Sequence, residues 1–193
     1  MSNKPTREEA EAAVRTLLGW VGDDPDRKGL KRTPARVLKC YEEWFGGYAI
    51  DPSEALGSTF ADAAGYNDIV ALCNIDFESH CEHHIAPFIG QAHVAYLPDQ
   101  NVVGVSKLVK VVNAFAKRLQ VQEKMTHQIA ECIYDALKPR AVAVVIEAQH
   151  ECMTTRGVYK KDIKMVTNSF MGEFETNAEL KAEFMRTIER EKG

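Results

Sequence analysis

Three observations predict an α+β fold built on an antiparallel sheet. Apolar residues recur at helical spacing up to about Phe45, switch to period two from Asp68, and then alternate between helical and strand spacing toward the C-terminus. The resulting order is a helical arm, two strands, two helices, two strands and a helix. Strands meeting across consecutive hairpins, with helices gathered on one side, belong to the α+β class. At 193 residues the chain is long enough for one well-buried core and too short for two full domains. An N-terminal helical arm over residues 1–50, a connecting segment over 51–67 and a main domain over 68–193 are expected.

Thr6-Arg7-Glu8-Glu9 is a capping box that opens the first helix. Ala10, Ala13, Val14, Leu17, Leu18 and Val21 form its apolar face, and Gly22-Asp23-Asp24-Pro25-Asp26 ends it. A second helix opens at Thr33-Pro34, cap then first-turn proline. Val37, Leu38, Tyr41, Trp44 and Phe45 make its buried stripe, with Arg36 and Lys39 on the opposite face, where a solvated surface is the ordinary reading.

From Asp68 onward Ile69, Ala71, Cys73, Ile75 and Phe77 point one way and Asn74, Asp76, Glu78 and His80 the other, a half-exposed strand that delivers Cys81 at its end. A second strand spans about Gly90–Leu97 and turns at Pro98-Asp99-Gln100-Asn101. Ser106 caps the next helix, whose apolar face is Leu108, Val111, Val112, Phe115 and Leu119, with Lys107, Lys110 and Lys117 on its other side. Another helix carries Met125, Ile129, Cys132, Ile133, Ala136 and Leu137 to Lys138-Pro139. Ala141–Ala148 is apolar nearly throughout and reads as a strand buried on both faces, leading into His150-Glu151-Cys152. A weaker strand around Lys164–Phe174 and a charged helix from about Asn177 complete the order.

Composition is that of an ordinary globular protein. No apolar stretch approaches the roughly 20 residues that cross a bilayer, and Met1-Ser2-Asn3-Lys4-Pro5 runs into charged helix without a signal-peptide core. The net charge of −4 supplies no global basic field for nucleic acid, so a polyanionic ligand would need a local cationic patch. The cysteine count is five; Cys40, Cys73 and Cys132 lie in apolar patterns and read as buried small hydrophobes. A reducing cytoplasm is the expected compartment.

Chemistry concentrates in Cys81-Glu82-His83-His84 and His150-Glu151-Cys152. Thiolate and neutral imidazole are the donors Zn²⁺ prefers, four around a structural ion and three around a catalytic one. His150 and Cys152 share a strand face but are cramped as joint ligands of one tetrahedral ion. The economical set is Cys81, His84 and Cys152, leaving a position for water and leaving His83 and His150 for proton transfer. A closed four-ligand structural site is the alternative. Gln122 and Glu123, an amide and a carboxylate side by side, can read the donor edge of guanine, although helix termini are often rich in Gln and Glu for no functional reason. Ser106, Lys107 and Lys110 bring a hydroxyl, two cations and helix amides together as a phosphate site, again with a solvated face as the plain alternative. Arg156 adds a guanidinium beside the metal cluster.

Cys81-Glu82-His83-His84, Gly104-Val105-Ser106-Lys107, Arg118-Leu119-Gln120-Val121-Gln122-Glu123 and His150-Glu151-Cys152-Met153-Thr154-Thr155-Arg156-Gly157 together resemble the zinc-dependent GTP cyclohydrolase I family, over about Thr33 to Gly172. The resemblance implies the tunnelling (T-) fold, with subunit sheets joined into a barrel, a homodecamer of two pentamers and active sites shared between subunits. It implies that Zn²⁺, held by Cys81, His84 and Cys152, supports hydrolytic opening of the GTP imidazole ring with release of formate, giving 7,8-dihydroneopterin triphosphate. In the family's pattern His150 protonates the purine, His83 is a second catalytic imidazole, and Gln122 and Glu123 read guanine. Ser106, Lys107, Lys110, Arg156, Arg36 and Lys39 match positions around the ribose and triphosphate; Lys110 stands where some members carry arginine. Three rivals compete: a T-fold nitrile reductase with a cysteine nucleophile, which needs no Cys-His-Cys trio; a structural-zinc interaction module, which would have four protein ligands and no response to GTP; and a pterin- or nucleotide-binding regulator, which would bind GTP without releasing formate.

Overall fold

The computed structural model describes residues 4–57 and 65–191. The chain divides into two compact units, Met1–Gly46 and Gly47–Gly193. Residues 58–64 of the expected connecting segment lie outside the described residues.

The first unit is a helical hairpin of α1 (Arg7–Trp20) and α2 (Thr33–Trp44). The capping box forms: the Thr6 hydroxyl accepts from the Glu9 amide, and the Glu9 carboxylate accepts from the Thr6 amide. An ion pair at 2.8 Å between Arg7 and Glu42 links the two helices. α2 begins at Thr33 itself, with Arg32 as N-cap and Pro34 in the first turn, so the cap sits one residue earlier than expected. Leu17 and Val21 of the expected α1 stripe are exposed, and so is Cys40, against expectation; Trp20 beside them is exposed too. Helical period marks an apolar face without stating that the same chain covers it.

In the second unit the sheet, among the described residues, runs in the order β3-β1-β2-β4-β5, formed by β1 (Val70–Cys81), β2 (Pro87–Leu97), β3 (Leu119–Gln120), β4 (Ala141–His150) and β5 (Met165–Gly172). All pairings are antiparallel except the short parallel contact of β1 with β3. Strand alternation splits the core in two. Val94, Tyr96, Val142, Val144 and Ile146 face α4 (Val105–Ala116) and α5 (Gln122–Leu137), where Leu108, Val111, Val112, Met125, Ile129 and Ile133 are buried against them. Ala95, Leu97, Ala141, Ala143 and Val145 point the other way, onto Phe174 of α7 (Glu173–Thr176) and Phe184 and Ile188 of α8 (Ala178–Arg190). The α+β class holds, but helices cover both faces rather than one, because the apolar side of the charged C-terminal helix docks on the second face.

β1 departs from simple alternation. Its pairing with β2 shifts register between Leu72 and Ile75, where Asn74 takes φ 57. One extra residue reverses the parity of everything before it. Ile75 and Phe77 therefore belong to the first core, whereas Ile69, Ala71 and Cys73 pack against the second. Beyond the bulge His80, expected on the exposed side, is 4% exposed. α4 is capped by Gly104 rather than Ser106, and Leu119 leaves the helix to open β3. A short helix α3 (Pro52–Leu56) buries Leu56 in the first core. Gly90 lets β2 and β4 approach: a Cβ there would collide with the main chain of Glu147 and Ala148. Among the described residues no helix is long and apolar enough to cross a membrane.

Candidate metal centre and active site

Cys81 ends β1, and the chain turns at once. The Cys81 amide donates to Ala86 O and the Ile85 amide to Cys81 O, both at 2.9 Å, with Ile85 at φ 53. This tight loop lifts His83 and His84 to the surface beside a buried Cys81. β4 ends at His150, which is the N-cap of α6 (Glu151–Thr154), so Cys152 is carried on the first turn after the strand. β2 lies between β1 and β4 and joins these two ends.

One donor atom each from Cys81, His84 and Cys152 lies within 4.8 Å of the others. The Cys81 Sγ to His84 Nδ1 separation is 3.9 Å. Zn–S and Zn–N bonds of about 2.3 and 2.0–2.1 Å imply donor separations of about 3.6–3.8 Å in a tetrahedron, so small side-chain adjustments suffice and the trio fits Zn²⁺. His83 and His150 are not in this group. Burial, then the neighbouring Cys81, pushes the Cys152 thiol up from its ordinary value; a cation there would reverse that by stabilising thiolate. Arg156 Nη1 donates to His84 Nε2 at 2.8 Å, placing its guanidinium at the rim of the trio.

His150 is held on two sides. Phe88 stands opposite it in the β2/β4 register and stacks on its ring at 4.6 Å and 1°. Its Nε2 meets Gln122 Oε1 at 2.8 Å. Burial lowers the His150 pKa, with Glu123 pulling the other way, so the ring is neutral at pH 7 and takes up a proton only at a cost set by its surroundings. The β1/β3 contact, extended by Glu82 N donating to Gln120 O at 3.0 Å, sets the start of α5 beside this centre. There the adjacent Gln122 and Glu123 diverge: Gln122 is 1% exposed with its amide bonded on every side, whereas Glu123 is exposed. The Gln122 side chain is thus engaged by β4, β5 and His150.

Ser106 and Lys110 are exposed and Lys107 half-buried on the first turns of α4. Arg36 and Lys39 are exposed on α2 in the first unit. A cavity of about 480 Å³ lies elsewhere, lined by residues including Asp51, Arg118, Glu131 and Cys132 and by none of the candidate site residues. There burial, with Asp51 adding to it, pushes the Cys132 thiol up to about 11, which keeps it protonated and unreactive. Sequence reasoning missed Phe88, Thr126 and Thr167, which support His150 and Gln122. No motif marks them: strand register brings Phe88 and Thr167 to the site, and Thr126 follows one turn after Gln122 on α5.

The GTP cyclohydrolase I family profile matches residues 10–189. The chain is 58% identical over 190 residues to a GTP cyclohydrolase 1 of Maricaulis maris (strain MCS10), covering 98% of this chain and 93% of that protein. It is 56% identical over 182 residues to a GTP cyclohydrolase 1 of Hyphomonas neptunium (strain ATCC 15444), covering 94% and 88%. A solved structure of the archaeosine synthase QueF-Like in the apo form aligns with a TM-score of 0.45 at 18% identity, over 54% of this chain and 93% of that one.

Proposed function

The chain belongs to the GTP cyclohydrolase I family, and from that premise we propose that it opens the imidazole ring of GTP, releasing formate and yielding 7,8-dihydroneopterin triphosphate. The observation that carries the reading is the convergence of Cys81, His84 and Cys152 at the end of the sheet that also presents His150.

Cys81, His84 and Cys152 would hold Zn²⁺, which supplies a water acidified toward neutrality and a positive charge beside the carbon under attack. As water adds to C8, His150 takes up the proton that water releases and passes it to N7 of the purine, so the amine leaves neutral. A second water cleaves the remaining C8–N bond, C8 departs as formate, and the freed amines and the ribose rearrange to the pterin. Glu123, exposed beside His150, accepts the N1–H and exocyclic N–H of guanine, donors that adenine does not offer in that arrangement. His83 serves as a second imidazole near the leaving groups. Ser106, Lys107, Lys110 and Arg156 hold ribose and triphosphate, Arg156 exchanging its His84 contact for a phosphate oxygen. Arg36 and Lys39 complete that grip from another subunit of a decameric ring, in which T-fold sheets join edge to edge. The compartment is the cytoplasm, where thiolate ligands stay reduced.

The test is to strip metal, reload with zinc and incubate with GTP. One formate per GTP and a pterin absorbance are expected from the loaded protein and neither from the stripped one; GTP bound without formate would support a regulator instead.

A further inference from the structure

The amide of Gln122 has an orientation that its surroundings dictate. Its Nε2 lies 3.2 Å from Ile146 O, 3.1 Å from Met165 O and 3.1 Å from Thr167 Oγ1. The two carbonyls can only accept. Flipping the amide would set its oxygen against both of them with no proton between, and each buried group left unmatched costs about 1–3 kcal/mol.

The hydroxyls agree with this direction. Thr126 Oγ1 donates to the Gln122 main-chain carbonyl at 2.7 Å, which uses its single proton. Across the 2.7 Å contact between Thr126 and Thr167, Thr167 must therefore donate, and Thr167 Oγ1 is left to accept from Gln122 Nε2. The chain of donors runs from the Gln122 amide through Thr167 and Thr126 back to the main chain of Gln122, and the second Nε2 proton is shared by Ile146 O and Met165 O. Gln122 Oε1 is left facing His150 Nε2 at 2.8 Å, and an amide oxygen can only accept.

We propose that Gln122 is a positioning residue that fixes His150 in the tautomer protonated at Nε2, so that Nδ1 is the nitrogen exchanging the catalytic proton. This rests on the assignment of His150 as the proton donor to the purine. The stacked Phe88 ring holds the imidazole plane, and Gln122 sets its rotation within that plane. The amide reads the catalytic imidazole, and guanine selection is left to Glu123.

The test uses zinc-loaded protein with ¹⁵N-labelled histidine. The six histidines are resolved and His150 is assigned by comparison with His150→Gln. Where the ring is neutral, the wild type is expected to show a pyrrole-type Nε2 and a pyridine-type Nδ1, whereas Gln122→Met should show a mixture of both tautomers. Gln122→Met should also lower kcat about 10–100-fold, the range for partners that orient an imidazole. KM for GTP and the preference for GTP over inosine triphosphate, which lacks the exocyclic amine, should stay as in the wild type. A wild-type ring protonated at Nδ1, or an unchanged ring in Gln122→Met, overturns the proposal. So does a loss carried by KM and by relaxed preference for GTP, which returns Gln122 to base reading. If Gln122→Met fails to fold, the wild-type ring pattern decides alone. Absence of formate from the wild type would overturn the GTP reading and leave the tautomer measurement standing.

Discussion

At the ends of β1 and β4, Cys81 is buried and His150 lies between Phe88 and a Gln122 amide that is itself bonded on every side. On the first turns of α4 and α5, by contrast, Ser106, Lys110 and Glu123 are exposed. The first region is arranged by folding of the single chain and has its orientation before any ligand arrives. The second offers charges whose positions a ligand must organise. Preorganised groups act in the transition state without further ordering, whereas exposed charges contribute mainly to encounter and ground-state binding. The two regions should therefore fail differently when altered.

The largest loss is expected from the metal trio. Cys152→Ala should abolish stoichiometric zinc and bring formate release to background, because even partners one shell out cost about 10–100-fold. The same thiol gives a pH signature. Its pKa is raised in the metal-free protein, so it carries a proton at pH 7 that zinc must displace, and each displaced proton weakens apparent affinity about tenfold per unit fall in pH. Zinc titration with proton counting checks this; affinity flat between pH 6 and 8 would contradict it.

His150→Ala should follow, with kcat falling about 10²–10⁴-fold, the usual contribution of a positioned acid. Zinc content measured in parallel should be unchanged; loss of the metal would place His150 among the ligands. Glu123→Ala comes next. Losing a charged partner of guanine should weaken GTP about tenfold or more, read as KM with kcat nearly held, and unchanged affinity would remove Glu123 from the site. The smallest effect belongs to Lys110→Ala. An exposed ion pair contributes about 0.2–1 kcal/mol, so KM should rise about two- to fivefold and the difference should shrink in high salt. A salt-insensitive loss in kcat would move Lys110 into the preorganised region and break the contrast.

How much of this was legible in the sequence follows the same division. Donor chemistry is written in residue type, so Cys81, His84 and Cys152 could be named as a trio able to hold a metal without knowing that β2 joins β1 and β4. The long helices and β4 were legible because their apolar periods run for several turns or a whole strand. Their surroundings were not. The bulge at Asn74 moves Ile69, Ala71 and Cys73 to the other core, and no pattern of alternation announces an inserted residue. Exposed Cys40 and the exposed end of α1 show that period marks a face and not what covers it. Gln122 and Glu123 are neighbours with opposite fates because a helix start rotates successive side chains by about 100°. Which of them meets His150 depends on β4 and β5 carbonyls far away in the chain. Phe88 reaches His150 through strand register across a long connection, which no local motif encodes.

The central claim is that three side chains of this protein hold a catalytic metal, with His150 beside it as an acid and not as a ligand. A crystal structure of zinc-loaded protein, with anomalous scattering recorded at the zinc edge, tests it most directly. The account predicts one peak per chain bound by Cys81 Sγ, His84 and Cys152 Sγ, with solvent in the fourth position. A zinc ion closed by His150 or His83 as a fourth protein ligand, or a peak away from this trio, would contradict it.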